Sequence, residues 1–251
     1  MYSTLINPFA FAKPPAQSDL YIWLDPSDLA SMSYDSGTGA IASITCKATA
    51  RVWAQSTEGR RPILTTDADY RHKVMSFIYG GGLSKAFTSD PAGSALSGFT
   101  VVWAGDNESA ANSYNVFGLS VSTATNAIQG GSPGSYIFKS PSTTCALQTY
   151  ISPGYNYSVN LSPGAFNTFA QTVPTNGSAA SGAKFYHNNV EISRQGGTGN
   201  IGSTFNPIAL GSYDTLYQSW GKCGEFLVYS RQLTVDELTA VHNYLHGRWK
   251  A

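Results

Sequence analysis

The stretch Gly221-Lys-Cys-Gly-Glu-Phe-Leu-Val-Tyr229, continuing as Ser230-Arg-Gln-Leu-Thr-Val-Asp-Glu237, sets a strand signal directly before a helix signal. From Glu225 to Tyr229 the residues are mostly β-branched, aromatic or large and apolar, the composition of a strand. Thr234-Val-Asp-Glu237 is a capping box, in which the threonine hydroxyl accepts from the third helical N–H and the glutamate reaches back. Leu233 stands where it can staple to Leu238 inside the first turn. Beyond the box, Leu238, Val241, Leu245 and Trp249 repeat at spacings of 3, 4 and 4, which puts one apolar face on the helix. Such a face requires a sheet to cover it.

Moving towards the N-terminus, the chain offers many short strands and little else. Phe99-Thr-Val-Val-Trp103 alternates Phe99, Val101 and Trp103 on one side. Comparable segments are Val74 to Ile78, Tyr114 to Val121, Phe166 to Thr172, Lys184 to His187 and Pro207 to Leu210, with a short helix expected near Pro26 to Ala30. Gly80-Gly-Gly82, three Ser-Pro-Gly triplets and Asn176-Gly177 supply turn chemistry between them. The expected fold is all-β: an antiparallel β-sandwich closed by a C-terminal α-helix. Residues 1–18 read as an extended N-terminal arm and residues 19–251 as one domain. Pro8, Pro14 and Pro15 keep the arm out of a central strand, because proline cannot donate to the ladder. Phe9 and Phe11 give it apolar anchors for docking on a partner.

Composition removes several functions. The 251 residues carry 15 basic and 15 acidic side chains, a net charge of zero, and only 12% are charged against about 25% in an average protein. A neutral chain lacks the lysine and arginine excess that neutralises phosphates, so no nucleic-acid partner is expected. The uncharged stretches are rich in Ser, Thr, Asn and Gly rather than apolar, so no membrane insertion is expected. Cys46, Cys145 and Cys223 are far apart and in no CxxC arrangement, which fits reduced thiols. The first residues lack a positive segment and are interrupted by Pro8, so they do not read as a secretory signal.

Tyr21-Ile-Trp-Leu-Asp-Pro-Ser-Asp28, Gln55-Ser-Thr-Glu-Gly-Arg-Arg-Pro62 and the ending through Glu225, Tyr229, Arg231, Leu233, Glu237, Tyr244, Leu245 and Trp249 resemble concanavalin A-like lectin/glucanase (laminin-G-like) modules. The resemblance covers about residues 19 to 250, lies mostly in scaffold positions, and implies an all-β, antiparallel two-sheet jelly-roll β-sandwich of concanavalin A-like type with a C-terminal α-helix. It departs at Ile44-Thr-Cys-Lys-Ala-Thr49 and at Phe77-Ile-Tyr-Gly80, where relatives often carry an aspartate. Such modules occur in bacterial surface, extracellular-matrix and bacteriophage virion proteins. With no signal segment read, the resemblance implies a non-enzymatic virion structural or adhesion protein made in the host cytoplasm: a phage fibre, spike or capsid decoration. Its partners would be other virion proteins or further copies of itself as a homo-oligomer, with host-surface polysaccharide as a second kind of partner. The alternatives are a carbohydrate-binding module or a glycoside hydrolase-like enzyme.

The residues themselves weigh against catalysis. Retaining glycoside hydrolysis needs two carboxyls about 5 to 5.5 Å apart, and none of Glu58, Glu108, Glu191, Glu225 and Glu237 falls in the Glu-x-Asp-x-x-Glu pattern of the related glucanases. Asp67 and Asp69 would share a side only if their segment were extended, and read as solvated loop charges. His242 and His246 are four apart on the helix, the spacing of a two-histidine metal site, but no Glu follows the first, and both read as structural or surface imidazoles. Gly197-Thr-Gly-Asn-Ile-Gly202 matches GxGxxG, yet Asn206-Pro207 follows instead of a helix. Sugar binding needs an aromatic ring to stack on the pyranose and Asp or Asn groups to fix its hydroxyls. Two segments mix these: Asp106 and Asn107 with Asn112 and Tyr114, and Tyr213 and Asp214 with Tyr217 and Trp220. No cofactor is expected; Ca²⁺ on Asp106 or Asp214 is the one ion this reading leaves open.

Overall fold

The computed structural model describes residues 13–78, 85–89, 96, 98–106, 166–175, 183–192, 209–211 and 221–251, and the backbone of strands at 114–120, 134–139, 145–150, 155–159 and 217–219. The strands in chain order are β1 (Leu20–Leu24), β2 (Met32–Tyr34), β3 (Ile41–Thr45), β4 (Val52–Ala54), β5 (Ile63–Thr65), β6 (Val74–Ser76), β7 (Ala86–Thr88), β8 (Phe99–Gly105) and β9 (Tyr114–Ser120). They continue as β10 (Gly134–Lys139), β11 (Cys145–Tyr150), β12 (Tyr155–Val159), β13 (Asn167–Val173), β14 (Lys184–His187), β15 (Val190–Ile192), β16 (Ala209–Gly211), β17 (Tyr217–Ser219) and β18 (Lys222–Tyr229). One α-helix, α1 (Val235–Trp249), follows.

Two sheets form. The first runs β15-β14-β13-β8-β18-β6-β5, with β1 also on β18; the second runs β12-β11-β10-β9-β16-β7-β4-β3-β2, with β17 also on β9. Among the described residues every strand pair is antiparallel except β17 with β9. Phe99, Val101, Trp103, Phe169, Phe226 and Val228 of the first sheet meet Ile44, Trp53, Phe87 and Leu210 of the second in one buried cluster. Trp103 stacks on Phe226 with ring centroids 5.7 Å apart.

The expected alternation along β8 is present, but its other side is buried too. Val102 and Ala104 join Ala170, Leu227 and Tyr229 in a second cluster with Leu238, Val241, Tyr244, Leu245 and Trp249 of α1. The molecule therefore has three layers, helix on sheet on sheet, and the central strands of the first sheet have no solvent face. Thr234 accepts from the Glu237 N–H and Glu237 accepts from the Thr234 N–H, so the capping box forms as expected. The short helix expected at 26–30 is a single 3₁₀ turn at Leu29–Ser31.

A bulge between Cys223 and Phe226 breaks the period of β18 and turns Gly224 and Glu225 towards α1. A Cβ at Gly224 would lie 2.7 Å from the Trp249 ring, so only glycine admits the indole there. Glu225 is fully buried and accepts from Trp23 Nε1 at 2.6 Å, Tyr244 Oη at 2.9 Å and Trp249 Nε1 at 2.8 Å. Arg248 reaches from α1 to Asp25 at 2.9 Å, and Lys47 bridges Asp25 and Asp28 at 3.1 and 3.2 Å. Burial works to raise the Asp25 pKa, but Arg248, Ser27 and Lys47 together hold it below its ordinary value. Burial, with the like charge of Asp25 beside it, pushes Glu225 up to about 7.

Residues 14–16, expected in the arm, belong to the body. Pro14 is buried, the Pro15 carbonyl accepts from Tyr229 Oη at 3.0 Å, and Ala16 packs on the outer cluster, so the body begins near residue 14 rather than 19. Phe9 and Phe11 lie outside the described residues. Among the described residues no helix is long and apolar enough to cross a membrane. Cys46 and Cys223 are buried free thiols.

Candidate functional site

The two segments singled out for sugar chemistry are separated by about a hundred residues in sequence, and the fold joins them. Tyr217, Gln218 and Ser219 pair in parallel with Tyr114, Asn115 and Val116. Because β10 occupies one edge of β9 along 115–120, β16 and β17 share the other edge. Neighbouring strands lie about 4.8 Å apart, so positions 114 and 217 are side by side at the start of both strands.

The roots of the segments are locked together as well. The Asp106 N–H donates to the Lys222 carbonyl at 3.0 Å, and the Lys222 N–H donates to Asp106 Oδ1 at 3.0 Å. Gly221, at φ +99°, makes this approach; a Cβ there would sit 2.8 Å from the Asp106 carbonyl oxygen. Phe77 donates its N–H to the Gly221 carbonyl at 3.0 Å and ties the pair to the neighbouring strand. Chain segments 106–114 and 217–222 are thus fixed against each other at both ends.

Asp106 is only 5% exposed, which places it at the root of its segment rather than at an open rim. Lys222 Nζ lies 2.6 Å from Asp67 Oδ2 and 3.9 Å from Asp106 Oδ2. Burial works to raise Asp67, but the Lys222 bond and the Asp69 N–H hold it below its ordinary value. Asp67 and Asp69 do not form an extended pair: Asp67 Oδ1 accepts the Asp69 N–H at 2.8 Å in a tight turn. Asp67 is an ion-paired support, not a solvated loop charge. The Lys222–Asp67 pair escaped sequence reading, since nothing local marks a lysine at a strand start as the clasp for a carboxylate 155 positions away. Asn107, Asn112, Tyr213, Asp214 and Trp220 lie outside the described residues, as does the GxGxxG at 197–202. Tyr114 and Tyr217 are placed by their backbone register.

The helix histidines do not converge on an ion. His242 is 3% exposed and bonds Thr168 Oγ1 through Nδ1 at 2.7 Å, while His246 is exposed and meets the Phe166 edge at 5.8 Å. Among the described residues no group of three His, Cys, Asp or Glu could hold a metal.

The remaining described glutamates are engaged in structure or exposed. Arg231 holds Glu237 through two bonds of 2.6 and 2.8 Å, which lowers the Glu237 pKa to about 2. Lys184 holds Glu191 at 2.9 Å. The chemistry on offer at the β9–β17 edge is therefore that of holding two adjoining segments in a fixed relation, with a half-buried Lys222–Asp67 ion pair at their roots.

This architecture is that of lectin-like two-sheet sandwiches. Trypanosoma rangeli sialidase in complex with sialic acid superposes with a TM-score of 0.57 at 11% identity over 94% of this chain and 34% of the sialidase, so the chain spans about a third of that protein's length. Domain 4 of AbnA, an extracellular arabinanase from Geobacillus stearothermophilus, in complex with arabinotriose, superposes with a TM-score of 0.54 at 14% identity over 89% of this chain and 98% of that domain. No protein-family model matches the sequence, and no curated protein does.

Proposed function

We propose that this chain is a non-enzymatic adhesion module that holds a glycan at the edge where β9 and β17 meet. The observation that carries it is the parallel pairing of Tyr217 with Tyr114, which brings together two segments each rich in aromatic and Asn or Asp residues. An aromatic platform beside carboxamides is the mixture a pyranose or furanose requires, and rigid roots lower the entropy lost on binding. The arabinotriose bound by the AbnA domain lends support to glycan binding by this sandwich. The module's place, in this reading, is a phage virion, as fibre, spike or capsid decoration, where a weakly charged Ser/Thr/Asn/Gly surface faces host polysaccharide. The segment before residue 14 serves to dock it on other virion proteins or on its own copies.

A glycan array probed with the full chain tests the binding. Saturable binding to at least one oligosaccharide, weakened about tenfold or more by Tyr217→Ala and without release of reducing sugar, is expected. An array blank at millimolar protein, or binding indifferent to both Tyr217→Ala and Tyr114→Ala, removes the site from this edge. Antibody against the chain should label particles released by lysis; particles that never carry it would end the virion placement. The second reading, a carbohydrate-binding module attached to a glycoside hydrolase, is favoured by the near-complete coverage of the AbnA domain, and a gene neighbourhood of polysaccharide-degrading enzymes would select it.

A further inference from the structure

On the face of the molecule carrying α1, the helix does not lie flat on the first sheet along its whole length. A cleft of about 330 Å³ opens between α1, the start of β13 and the β14–β15 turn, lined by Phe166, Thr168, Asn188, Asn189, His242, Asn243, His246 and Lys250. Its size is at the small end of the range for ligand pockets. Asn188 and Asn189 form the turn with φ of +49° and +64°, the left-handed pair that a two-residue hairpin needs and that asparagine tolerates. Both turn residues are anchored: the Asn188 side-chain carbonyl accepts the Thr168 N–H at 2.8 Å, and Asn189 Nδ2 donates to Thr239 Oγ1 of α1 at 3.2 Å. The cleft wall is thus held in place by built contacts.

Three features define what would fit. Phe166 and His246 meet edge to face at 5.8 Å, giving the cleft an aromatic rim. Asn243 is exposed and brings a carboxamide, both donor and acceptor, while the amides of Asn188 and Asn189 are taken up by Thr168, Asn167 and Thr239. His242, buried at the back, has Nδ1 committed to Thr168 while Nε2 has no partner. A buried polar nitrogen left unbonded is costly and calls for an explanation. Among the described residues no carboxylate lines the cleft, and Lys250 is the one that carries a formal charge.

We infer that this cleft is a second binding site, distinct from the β9–β17 edge, and that it takes one neutral hydroxylated ring, a single sugar unit. A hydroxyl both donates and accepts, so it pairs with the Asn243 carboxamide in either sense and, where a small side-chain shift opens the enclosed His242 Nε2, bonds that nitrogen in either tautomer. A sugar's apolar face suits the Phe166–His246 rim. An anion offers acceptors alone and would rest on Lys250 at the mouth. The inference shares with the proposed function the idea of glycan binding, but not the residues.

The test is two-dimensional NMR of the ¹⁵N-labelled full chain, with methyl β-galactopyranoside, methyl α-glucopyranoside and methyl α-arabinofuranoside as probes and inorganic phosphate as the anionic control. Expected are saturable shifts of the His242 and His246 ring nitrogens and of the Asn188, Asn189 and Asn243 side-chain amides with at least one glycoside. Asn243→Ala, at an exposed helix position, should weaken that response about tenfold without changing the melting temperature. Thr168→Val offers a second variant, which frees His242 Nδ1 and should shift the ring's tautomer and its response to the glycoside. Shifts confined to the backbone near 114–116 and 217–219 would locate binding at the other edge and overturn this site while leaving the proposed function standing. A response to phosphate but to no glycoside, or no response to any probe, also overturns it. Shifts at the cleft with none at the edge would support the cleft and count against the edge.

Discussion

The two faces of the β8–β18 pair are both buried, but in different ways. The inner face is Phe99, Val101, Trp103, Cys223, Phe226 and Val228, closed by apolar side chains of the second sheet. The outer face sets Val102, Leu227 and Tyr229 beside a carboxylate, Glu225, and under it the indole, phenol and guanidinium of α1. An apolar layer tolerates repacking, since it asks only for volume and shape. A layer with a buried charge has no such freedom: each donor that points at Glu225 is fixed by it, and each is stranded without it. The inner face holds the sheets together, and the outer face fixes the angle and register at which the helix lies.

The most severe way to break this asymmetry is to end the chain after Leu233. That removes Leu238, Val241, Leu245 and Trp249, all 1% exposed or less, and uncovers the outer face. Losing Trp249 alone corresponds to about 3–5 kcal/mol, so loss of cooperative thermal unfolding by calorimetry is expected. A truncated chain that melts within a degree or two of the full one would show the helix to be peripheral.

A single residue should do nearly as much. Glu225→Ala leaves two indoles and a phenol without their acceptor and takes from Arg248 one of its two carboxylate partners, and removing one member of a buried charged set costs about 3–5 kcal/mol. Val228→Ala on the inner face should cost less, about 1–3 kcal/mol, by denaturant midpoint. If the two variants unfold at the same midpoint, the outer network has no special weight.

The smallest effect is the most discriminating, because two buried groups on the outer side titrate in opposite senses. Glu225, raised from 4.5 to about 7, binds more protons folded than unfolded, so its contribution grows as pH falls from 7 towards 4.5. His242, lowered by burial from 6.5 to about 4, binds fewer protons folded, so its contribution is lost as pH falls from 6.5 towards 4. Each shift is on the order of 3 kcal/mol, and over the shared window they oppose. Relative to the wild type, Glu225→Gln should therefore lose stability on acidification across this range and His242→Gln should gain it. Stability curves parallel to the wild type would refute both assignments.

How much of this was legible in the sequence follows the range of the interactions. The capping box, the helix stripe and the alternation of β8 are local and periodic, and the sandwich with its terminal helix follows from them. The resemblance to lectin-like modules ran through Trp23, Asp25, Glu225, Tyr229, Arg231, Glu237, Tyr244 and Trp249, and these turn out to form the buried outer network and the helix cap, which explains why the likeness spoke of fold. Hidden were the second burial of β8, because Val102 and Ala104 read as either face, and the bulge at Gly224, which has no period. Strands β10 to β12 were missed because their segments alternate weakly and are rich in Ser, Thr and Tyr. The candidate edge was half legible: each segment showed its chemistry, but only the β9–β17 register put Tyr114 beside Tyr217. The cleft needed three elements from residues 166 to 250 and left no local mark beyond two histidines four apart.

The pairing of β1 with β18 sets the order of assembly. Leu20 faces Tyr229 and Leu24 faces Phe226 across some two hundred intervening residues, and β18 also carries β8 and β6. A central strand of the first sheet is thus synthesised long after its partners β1, β6 and β8. Until residues 222–249 emerge from the ribosome, β1, β6 and β8 wait with open edges and an uncovered apolar face. Closing such distant contacts late makes folding slow, and makes the nascent chain dependent on protection from edge-to-edge association during that wait.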